Sequence, residues 1–256
     1  MKTMDDETTR MVKFLRLPAL LAHWDEYMAL AQKQGFSHVR LLKYVLEQEC
    51  LMKSENARTY RLNRANIPIR YVMETYPFDR QPKLDKKRIL ALYDAFDYVA
   101  KSQNIIFVGP AGCGKTGLAT SFLIEAIHRG HTGRYVLFPD LVGELFKSVA
   151  DHSEQRAIKR YLSYDCLLVD ELDYVEVEPV QVGLFFTLMH KRHLKKPTLI
   201  TSNLGFSEWR TFLKNDRLTA ALVDRLTEKS YVINMKNCIS LREKLSPDHD
   251  LPGDSK

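Results

Sequence analysis

Residues 104–119 read "NIIFVGPAGCGKTGLA" and decide the fold. Gly109, four further residues and then Gly114-Lys115-Thr116 form the pattern of a phosphate-binding loop, between an apolar run and a helical pattern over 115–129. Glycines let backbone N–H groups turn toward phosphate oxygens, the lysine adds positive charge, and the threonine hydroxyl can ligate Mg²⁺. The predicted nucleotide-binding residues are Gly109, Pro110, Ala111, Gly112, Cys113, Gly114, Lys115, Thr116 and Gly117.

Apolar runs alternate with helical patterns from residue 104 onward, which is typical of an α/β domain with a parallel sheet covered on both faces. The predicted strands are 105–109, 134–138, 166–170, 198–202 and 230–235. Upstream, two amphipathic patterns begin near Pro18 and Ser37 and predict a small all-helical domain. The expected organisation is a helical domain at 1–76, a linker at 77–103, an α/β domain with the phosphate-binding loop at 104–245 and a disordered tail at 246–256.

Composition limits the class of protein. The 256 residues are 45% hydrophobic, enough for a buried core, and the net charge of +6 permits an anionic partner without requiring one. Four widely spaced cysteines form no CxxC pair, which argues against a zinc site or a disulfide framework. Neither a secretory signal nor a membrane-spanning run is evident, so the sequence predicts a cytoplasmic protein without a membrane partner.

The stretch "YDCLLVDELDY", residues 164–174, predicts hydrolysis. Asp170 ends an apolar strand, where its carboxylate can hold Mg²⁺ together with Thr116. Glu171 follows in position to orient or deprotonate an attacking water. A small-molecule kinase would need its acceptor substrate at that place, so the acidic pair favours an ATPase.

Two further polar positions are candidates with open alternatives. Asn203 ends the strand "TLITSN" and either caps the next helix or holds the attacking water near Glu171. Arg217 and Arg225 precede the last predicted strand. Either could stabilise phosphoryl charge on a neighbouring subunit's nucleotide, or could form a surface salt bridge.

The segment 53–70 is basic, with a single acid, Glu55. Arg58, Arg61 and Arg64 lie at helical spacing on one face, where they could follow DNA phosphates or form a solvated surface. The absence of opposing acids favours sequence-independent contact with the phosphate backbone. The predicted DNA-binding residues are Lys53, Arg58, Arg61, Arg64 and Arg70.

Taken together, these motifs resemble the AAA+ ATPases, and among them the IstB-like helper ATPases of bacterial insertion sequences, relatives of the DnaC helicase loaders. The resemblance extends from "LRLPALLAHWDEYMALAQ" through "YPFD", the phosphate loop and "YDCLLVDELDYV" to "LITSNLGFSEW" and "AALVDRLTEKSYVI". It implies ATP and Mg²⁺ as cofactors, with Asn203 as sensor 1, Arg225 as the arginine finger, and Arg217 and Arg192 as lesser candidates. It also implies a AAA+ ATPase domain at 104–245 without a C-terminal lid domain, and a DNA-binding and assembly role for the helical domain at 1–76.

The chain departs from the family at Ala111, Cys113 and Gly117, where Pro, Thr and His are usual. In "NCISLRE", Asn237 and Ser240 stand at the Gly and Arg places of a common Gly-x-Ser-Tyr-Arg motif, so no nucleotide-sensing role is predicted for Arg242.

The resemblance implies an ATP-dependent ATPase that oligomerises on double-stranded DNA and assists the transposase of the same element in selecting target DNA. The alternatives are a DnaC-like loader of a replicative helicase, and a nucleotide-switched scaffold or small-molecule kinase.

Overall fold

The computed structural model describes residues 4–173 and 177–242, which divide into two compact units at Arg61 and Leu62. Within these residues, no helix combines the length and the apolar character needed to cross a membrane. The predicted tail at 246–256 and the question of a C-terminal lid fall outside the described residues.

The first unit is helical, as the sequence predicts, and consists of α1 (Asp6–Phe14), α2 (Pro18–Lys33) and most of α3 (His38–Arg64). Asp5 caps α1 by accepting the N–H of Thr8, and a proline begins α2, where its missing N–H costs nothing. The buried Glu49 accepts the N–H of Leu20 at 2.7 Å. This charged side chain therefore fixes the start of α2 against α3.

The second unit is built on a five-stranded parallel sheet in the order β2-β3-β4-β1-β5, which confirms the predicted α/β class. The strands are β1 (Ile105–Val108), β2 (Gly133–Leu137), β3 (Cys166–Asp170), β4 (Thr198–Ser202) and β5 (Tyr231–Asn234). Every residue of β1, β3 and β4 is buried, as expected for central strands covered on both faces.

Helices cover both faces of the sheet and enclose two apolar cores. One core lies beneath α4 (Lys86–Ala95), α5 (Asp97–Ala100) and α6 (Lys115–His128). The other lies beneath α7 (Phe138–Ala150), α8 (Glu154–Ser163), α9 (Pro179–Arg192), α10 (Trp209–Leu213) and α11 (Asp216–Thr227). The result is the three-layer architecture predicted from the alternating pattern.

The segment expected to be a linker contributes to the first of these cores. Tyr98, which is fully buried, donates a hydrogen bond of 2.7 Å from its hydroxyl to the carbonyl of Phe122 in α6. Ile89 and Leu92 of α4 are buried in the same core. The domain limits drawn from sequence at residues 76, 103 and 245 remain predictions.

Candidate nucleotide site

Three loops meet at one edge of the sheet because β1, β3 and β4 are adjacent and parallel, so their carboxyl ends lie side by side. The loop after β1 leads into α6, which begins with Lys115 and Thr116; β3 ends at Asp170, and β4 leads into Asn203. These residues and Glu171 thus come together although the first and last of them are 88 positions apart in sequence.

The loop after β1 is shaped by glycines at two places where another residue would not fit. A Cβ on Gly109 would lie 2.7 Å from the backbone carbonyl oxygen of Met235. Gly114 has φ +94°, a left-handed conformation that L side chains rarely adopt, and it caps the N-terminus of α6. The loop is therefore already wound so that the helix start, with its unpaired N–H groups, points at the site.

Lys115 is buried among oxygen atoms. Its Nζ donates to the carbonyls of Gly109 at 2.9 Å and Pro110 at 2.8 Å and to Oδ1 of Asn203 at 2.5 Å. Burial lowers the pKa of Lys115, and nearby acidic groups oppose that effect. These neutral oxygens satisfy the ammonium and hold it beside the phosphate-binding loop.

Three hydroxyls hold the carboxylate of Asp170. Thr116 donates to its Oδ1 at 3.1 Å, Thr201 donates to the same oxygen, and the hydroxyl of Tyr135 donates to Oδ2 at 2.8 Å. Asp170 is 2% exposed, so this fixed geometry keeps its carboxylate beside the Thr116 hydroxyl. A hydroxyl paired with a carboxylate at the start of the phosphate-binding helix is a suitable donor set for Mg²⁺ carrying water and phosphate ligands.

Glu171 turns away from the strand in a left-handed conformation, with φ 57°. Its backbone N–H donates to Oγ1 of Thr201 at 2.9 Å, so one threonine fixes both acidic residues. Desolvation raises the pKa of Glu171, as do the charges of Asp170 and Asp173, whereas Arg242 and Lys115 lower it. A carboxylate with a raised pKa is a better proton acceptor than an ordinary glutamate, which suits a general base.

Asp173 is a site residue that sequence reasoning missed. It is 3% exposed, and its Oδ2 accepts the backbone N–H of Asn203 at 2.6 Å. Burial raises the pKa of this carboxyl, while the hydrogen bond from Asn203 lowers it. Asp173 therefore fixes the backbone of Asn203. In the sequence, the only indication of this role is the position of Asp173 two residues after Glu171.

Residues far apart in sequence hold the outer side of the phosphate loop. The carbonyl of Cys113 accepts from the hydroxyl of Tyr76 at 3.1 Å and from Nε2 of Gln81 at 3.2 Å. The N–H of Leu241 donates to the carbonyl of Gly112 at 2.8 Å. These contacts hold the carbonyls of Gly112 and Cys113 on the side of the loop away from Lys115.

Comparison with known proteins identifies the family of this chain. The model of the IstB-like ATP binding protein family matches residues 10–247. The chain belongs to that family. A protein named as the putative ATP-binding protein of insertion sequence IS5376 from Geobacillus stearothermophilus is 29% identical over 231 residues, covering 90% of this chain and 92% of its own. The corresponding protein named for IS21 from Pseudomonas aeruginosa is also 29% identical, covering 90% and 87%.

Solved structures confirm the AAA+ fold of this family member. The crystal structure of DnaI has a TM-score of 0.55 and 20% identity, and the match covers 65% of this chain and 92% of that one. AMPPCP-bound DnaA from Aquifex aeolicus has a TM-score of 0.54 and 19% identity, covering 67% and 51%. At these identities the likeness concerns the fold alone. Together with the family match it shows an ATP-binding protein with a AAA+ fold, related to those of insertion sequences.

The three candidates for the arginine finger, Arg192, Arg217 and Arg225, differ in their surroundings. Arg192 is 1% exposed and its guanidinium donates to Oγ1 of Thr198 and to several backbone carbonyls, so it cannot reach a neighbouring subunit. Arg217 is exposed in the first turn of α11. Arg225 is half-buried near the end of α11, where its Nε donates to Nδ1 of His190 at 3.1 Å.

Arg242 lies closer to the loop than its sequence context predicts. Its Cδ would be 3.5 Å from a Cβ on Gly112, and its charge lowers the pKa of Glu171. The departure of "NCISLRE" from the family motif gave no reason to place it there. The turn after β5 returns this segment to the phosphate loop, and only the fold shows it.

The predicted DNA-binding residues are distributed over both units. Lys53, Arg58 and Arg61 belong to the helical unit, and Arg58 lies 3.5 Å from the carboxylate of Glu55. Arg64 and Arg70 belong to the second unit. In that unit, Arg70 donates to Oδ1 of Asn63 at 2.8 Å, and Arg134 of β2 donates to the carbonyl of Arg64 at 3.2 Å.

Proposed function

We propose that this protein is an ATP-dependent, DNA-binding AAA+ ATPase that oligomerises on double-stranded DNA and assists the transposase of its element in selecting target DNA. The observation that carries the ATPase assignment is the convergence of Lys115, Asp170, Glu171 and Asn203 at one sheet edge. The names of the relatives, which are insertion-sequence proteins, support the transposition role.

In the proposed reaction, the loop N–H groups and Lys115 bind the phosphates of ATP, and Thr116 and Asp170 would hold Mg²⁺. Mg²⁺, when bound, would neutralise charge on the β- and γ-phosphates. Glu171 accepts a proton from the attacking water, and Asn203 orients that water. The amide of Asn203 is suited to this role because its backbone is fixed by Asp173 while its Oδ1 already lies within hydrogen-bond distance of the lysine.

Arg225 is proposed to complete the site of a neighbouring subunit. It projects from α11, and no hydrogen bond joins its guanidinium to the phosphate-loop residues of its own chain within the described ranges. A cation supplied by a neighbour makes hydrolysis depend on assembly, because the charge on the transferring phosphoryl group is stabilised only in the oligomer. Hydrolysis would then release subunits from DNA.

A trapping experiment tests this cycle. Glu171→Gln keeps the size of the side chain but removes the base, so ATP should accumulate in an oligomer bound to duplex DNA. Electron microscopy and gel filtration with ATP, with and without duplex DNA, measure the assembly. The double variant with Lys115→Ala is the matched control, because it lacks the phosphate contact and should stay dispersed. A Glu171→Gln protein that remains monomeric with ATP and duplex DNA would refute the mechanism.

DNA contact is tested separately by replacing Arg58, Arg61 and Arg64 with alanine. Each phosphate contact releases counterions, so the slope of log affinity against log salt should become shallower by roughly 0.9 for each phosphate of duplex DNA that the variant no longer binds. Replacement of the exposed Lys147, Lys159 and Lys191 removes the same net charge and should leave the slope unchanged. An unaltered slope in the arginine variant would show that DNA binds elsewhere on the protein.

A preference for single-stranded DNA, together with binding to a replicative helicase, would favour the alternative function as a helicase loader.

A further inference from the structure

Helix α9 and the residue after it present three side chains to the end of α11, at positions 186, 190 and 193. The rings of Phe186 and His190 are nearly parallel, with centroids 6.1 Å apart and an angle of 6° between their planes. The guanidinium carbon of Arg225 lies 5.0 Å from the centroid of Phe186. Nδ1 of His193 lies 3.0 Å from the backbone carbonyl oxygen of Arg225, so the backbone of α11 is fixed at the same point.

Hydrogen bonds engage two of the three nitrogens of the Arg225 guanidinium. Nε donates to Nδ1 of His190 at 3.1 Å, and Nη1 donates to the carbonyl of Ala221, one turn earlier in its own helix, at 2.9 Å. Among the described residues, Nη2 has no hydrogen-bond partner. Phe186 and His190 therefore hold the flat cation while the N–H groups of Nη2 stay available.

From this geometry we infer that Phe186 and His190 are positioning residues for Arg225, holding its guanidinium so that the Nη2 edge meets the γ-phosphate of ATP bound by the adjoining subunit. The inference rests on the proposed completion of the site between subunits. Arginine loses little further freedom on binding phosphate when its fork is already oriented, and this saving in entropy is realised in the transition state. Within the described residues no carboxylate pairs with Arg225, which suits a cation that must exchange its interactions for a phosphate during each cycle.

The test uses mixed oligomers on linear duplex DNA. Subunits with Lys115→Ala should not assemble alone, but beside an ATP-bound subunit they still present Arg225, whereas subunits with Arg225→Ala bind ATP but lack the arginine. Neither alone should hydrolyse ATP, and the mixture should recover activity. Phe186→Leu or His190→Leu is then added to one kind of subunit at a time.

On the Lys115→Ala subunit, which donates the arginine, each leucine substitution should lower the recovered kcat about tenfold, the size of a cation–π interaction or of a hydrogen bond to an ion. The KM for ATP should not change, because the contact is made in the transition state. On the Arg225→Ala subunit the same substitutions should have no effect, since there is no arginine to position. Phe186→Tyr and His190→Asn, which keep the aromatic face and the acceptor, should restore activity, and Lys191→Leu on the same helix should be neutral.

A loss of activity that is equal on both kinds of subunit would show a merely structural role and overturn the inference. Full activity with leucine on the donating subunit would overturn it as well. A mixture that recovers no activity even without these substitutions would refute completion between subunits, and with it both proposals. Thermal unfolding of each variant confirms that the mixed proteins are folded.

Discussion

The ammonium of Lys115 and the side-chain oxygen of Asn203, 88 positions apart in sequence, are joined by a hydrogen bond of 2.5 Å. The phosphate-binding lysine is thereby connected to the residue proposed to orient water. Any phosphate that attracts Lys115 must share or replace this contact, so nucleotide binding would be communicated directly to Asn203.

Substitution of Asn203 should separate binding from hydrolysis. Asn203→Ala frees Lys115, so the Kd for ATP should stay within about threefold while kcat falls at least about a hundredfold because the water is no longer oriented. Asn203→Asp gives Lys115 a charged partner and places a negative charge near the phosphates, so the Kd should rise about tenfold or more. Nucleotide titration and steady-state ATPase assays measure the two effects. Equal ATP affinity of the two variants would contradict the proposed role of this contact.

Thr201 should be required for both stability and activity because its hydroxyl donates to Asp170 and accepts the N–H of Glu171. Thr201→Val removes one of the three hydroxyls that hold the carboxylate of Asp170 and leaves the N–H of Glu171 without its partner. This change should lower the free energy of unfolding by about 1–3 kcal/mol. Thr201→Ser keeps the hydroxyl and is the matched control. Urea denaturation followed by ATPase assays checks the prediction, which fails if valine and serine behave alike.

The pH dependence of kcat should respond to Asp173. Its negative charge contributes to the raised pKa of Glu171. Asp173→Asn removes the charge and keeps an oxygen for the N–H of Asn203, so the pKa of Glu171 should fall and the acid limb of the kcat profile should move to lower pH. Asp94→Asn, at an exposed position, should leave the limb in place.

Stability supplies an independent check on Asp173. Because burial raises the folded-state pKa of its carboxyl, the contribution of this group to stability is complete below the unfolded pKa of about 3.9 and is lost as pH rises through the folded value. An asparagine at this position does not titrate, so the stability of Asp173→Asn relative to the natural protein should increase across that range. Thermal unfolding at several pH values measures it, and a difference constant with pH would contradict the shift.

Arg192 should be essential to the fold, not to the reaction between subunits. Burial lowers the pKa of its guanidinium to about 10, so it stays charged at neutral pH, and backbone carbonyls before β3 and β4 satisfy it. Arg192→Lys loses the planar fork and should reduce the free energy of unfolding by about 3 kcal/mol. The exposed Arg210→Lys should change it by less than about 0.5 kcal/mol. Denaturant unfolding distinguishes the two.

Every strand end was predictable to within one residue because each strand is a largely apolar run bounded by polar residues. The strand predicted at 134–138 runs from Gly133 to Leu137, and β3 and β4 have the predicted limits. The phosphate loop was predictable because backbone geometry requires glycines there. Structural requirements that involve only neighbouring residues can be recognised from a short stretch of sequence.

The contacts that support the site were not predictable, because they depend on the order of the strands and on distant segments of the chain that pack against the phosphate loop. Gln81 donates to the carbonyls of Cys113 at 3.2 Å and Ile239 at 2.6 Å, joining three segments of the chain. Nothing in the neighbourhood of Gln81 indicates this, since a buried amide and an exposed one have the same local sequence context.

By itself, the sequence determined the phosphate loop, the acidic pair at the end of β3, the α/β class and the family. Only the tertiary structure decided that Thr201 fixes both acids, that Arg192 is buried, that Arg242 lies beside the loop and that Arg225 rests on Phe186 and His190. The physical reason is that the motif residues are required by phosphate binding and by backbone conformation, which depend on residues only a few positions apart in the sequence. Burial, hydrogen-bond satisfaction and side-chain direction are set by whichever segments the fold brings next to them.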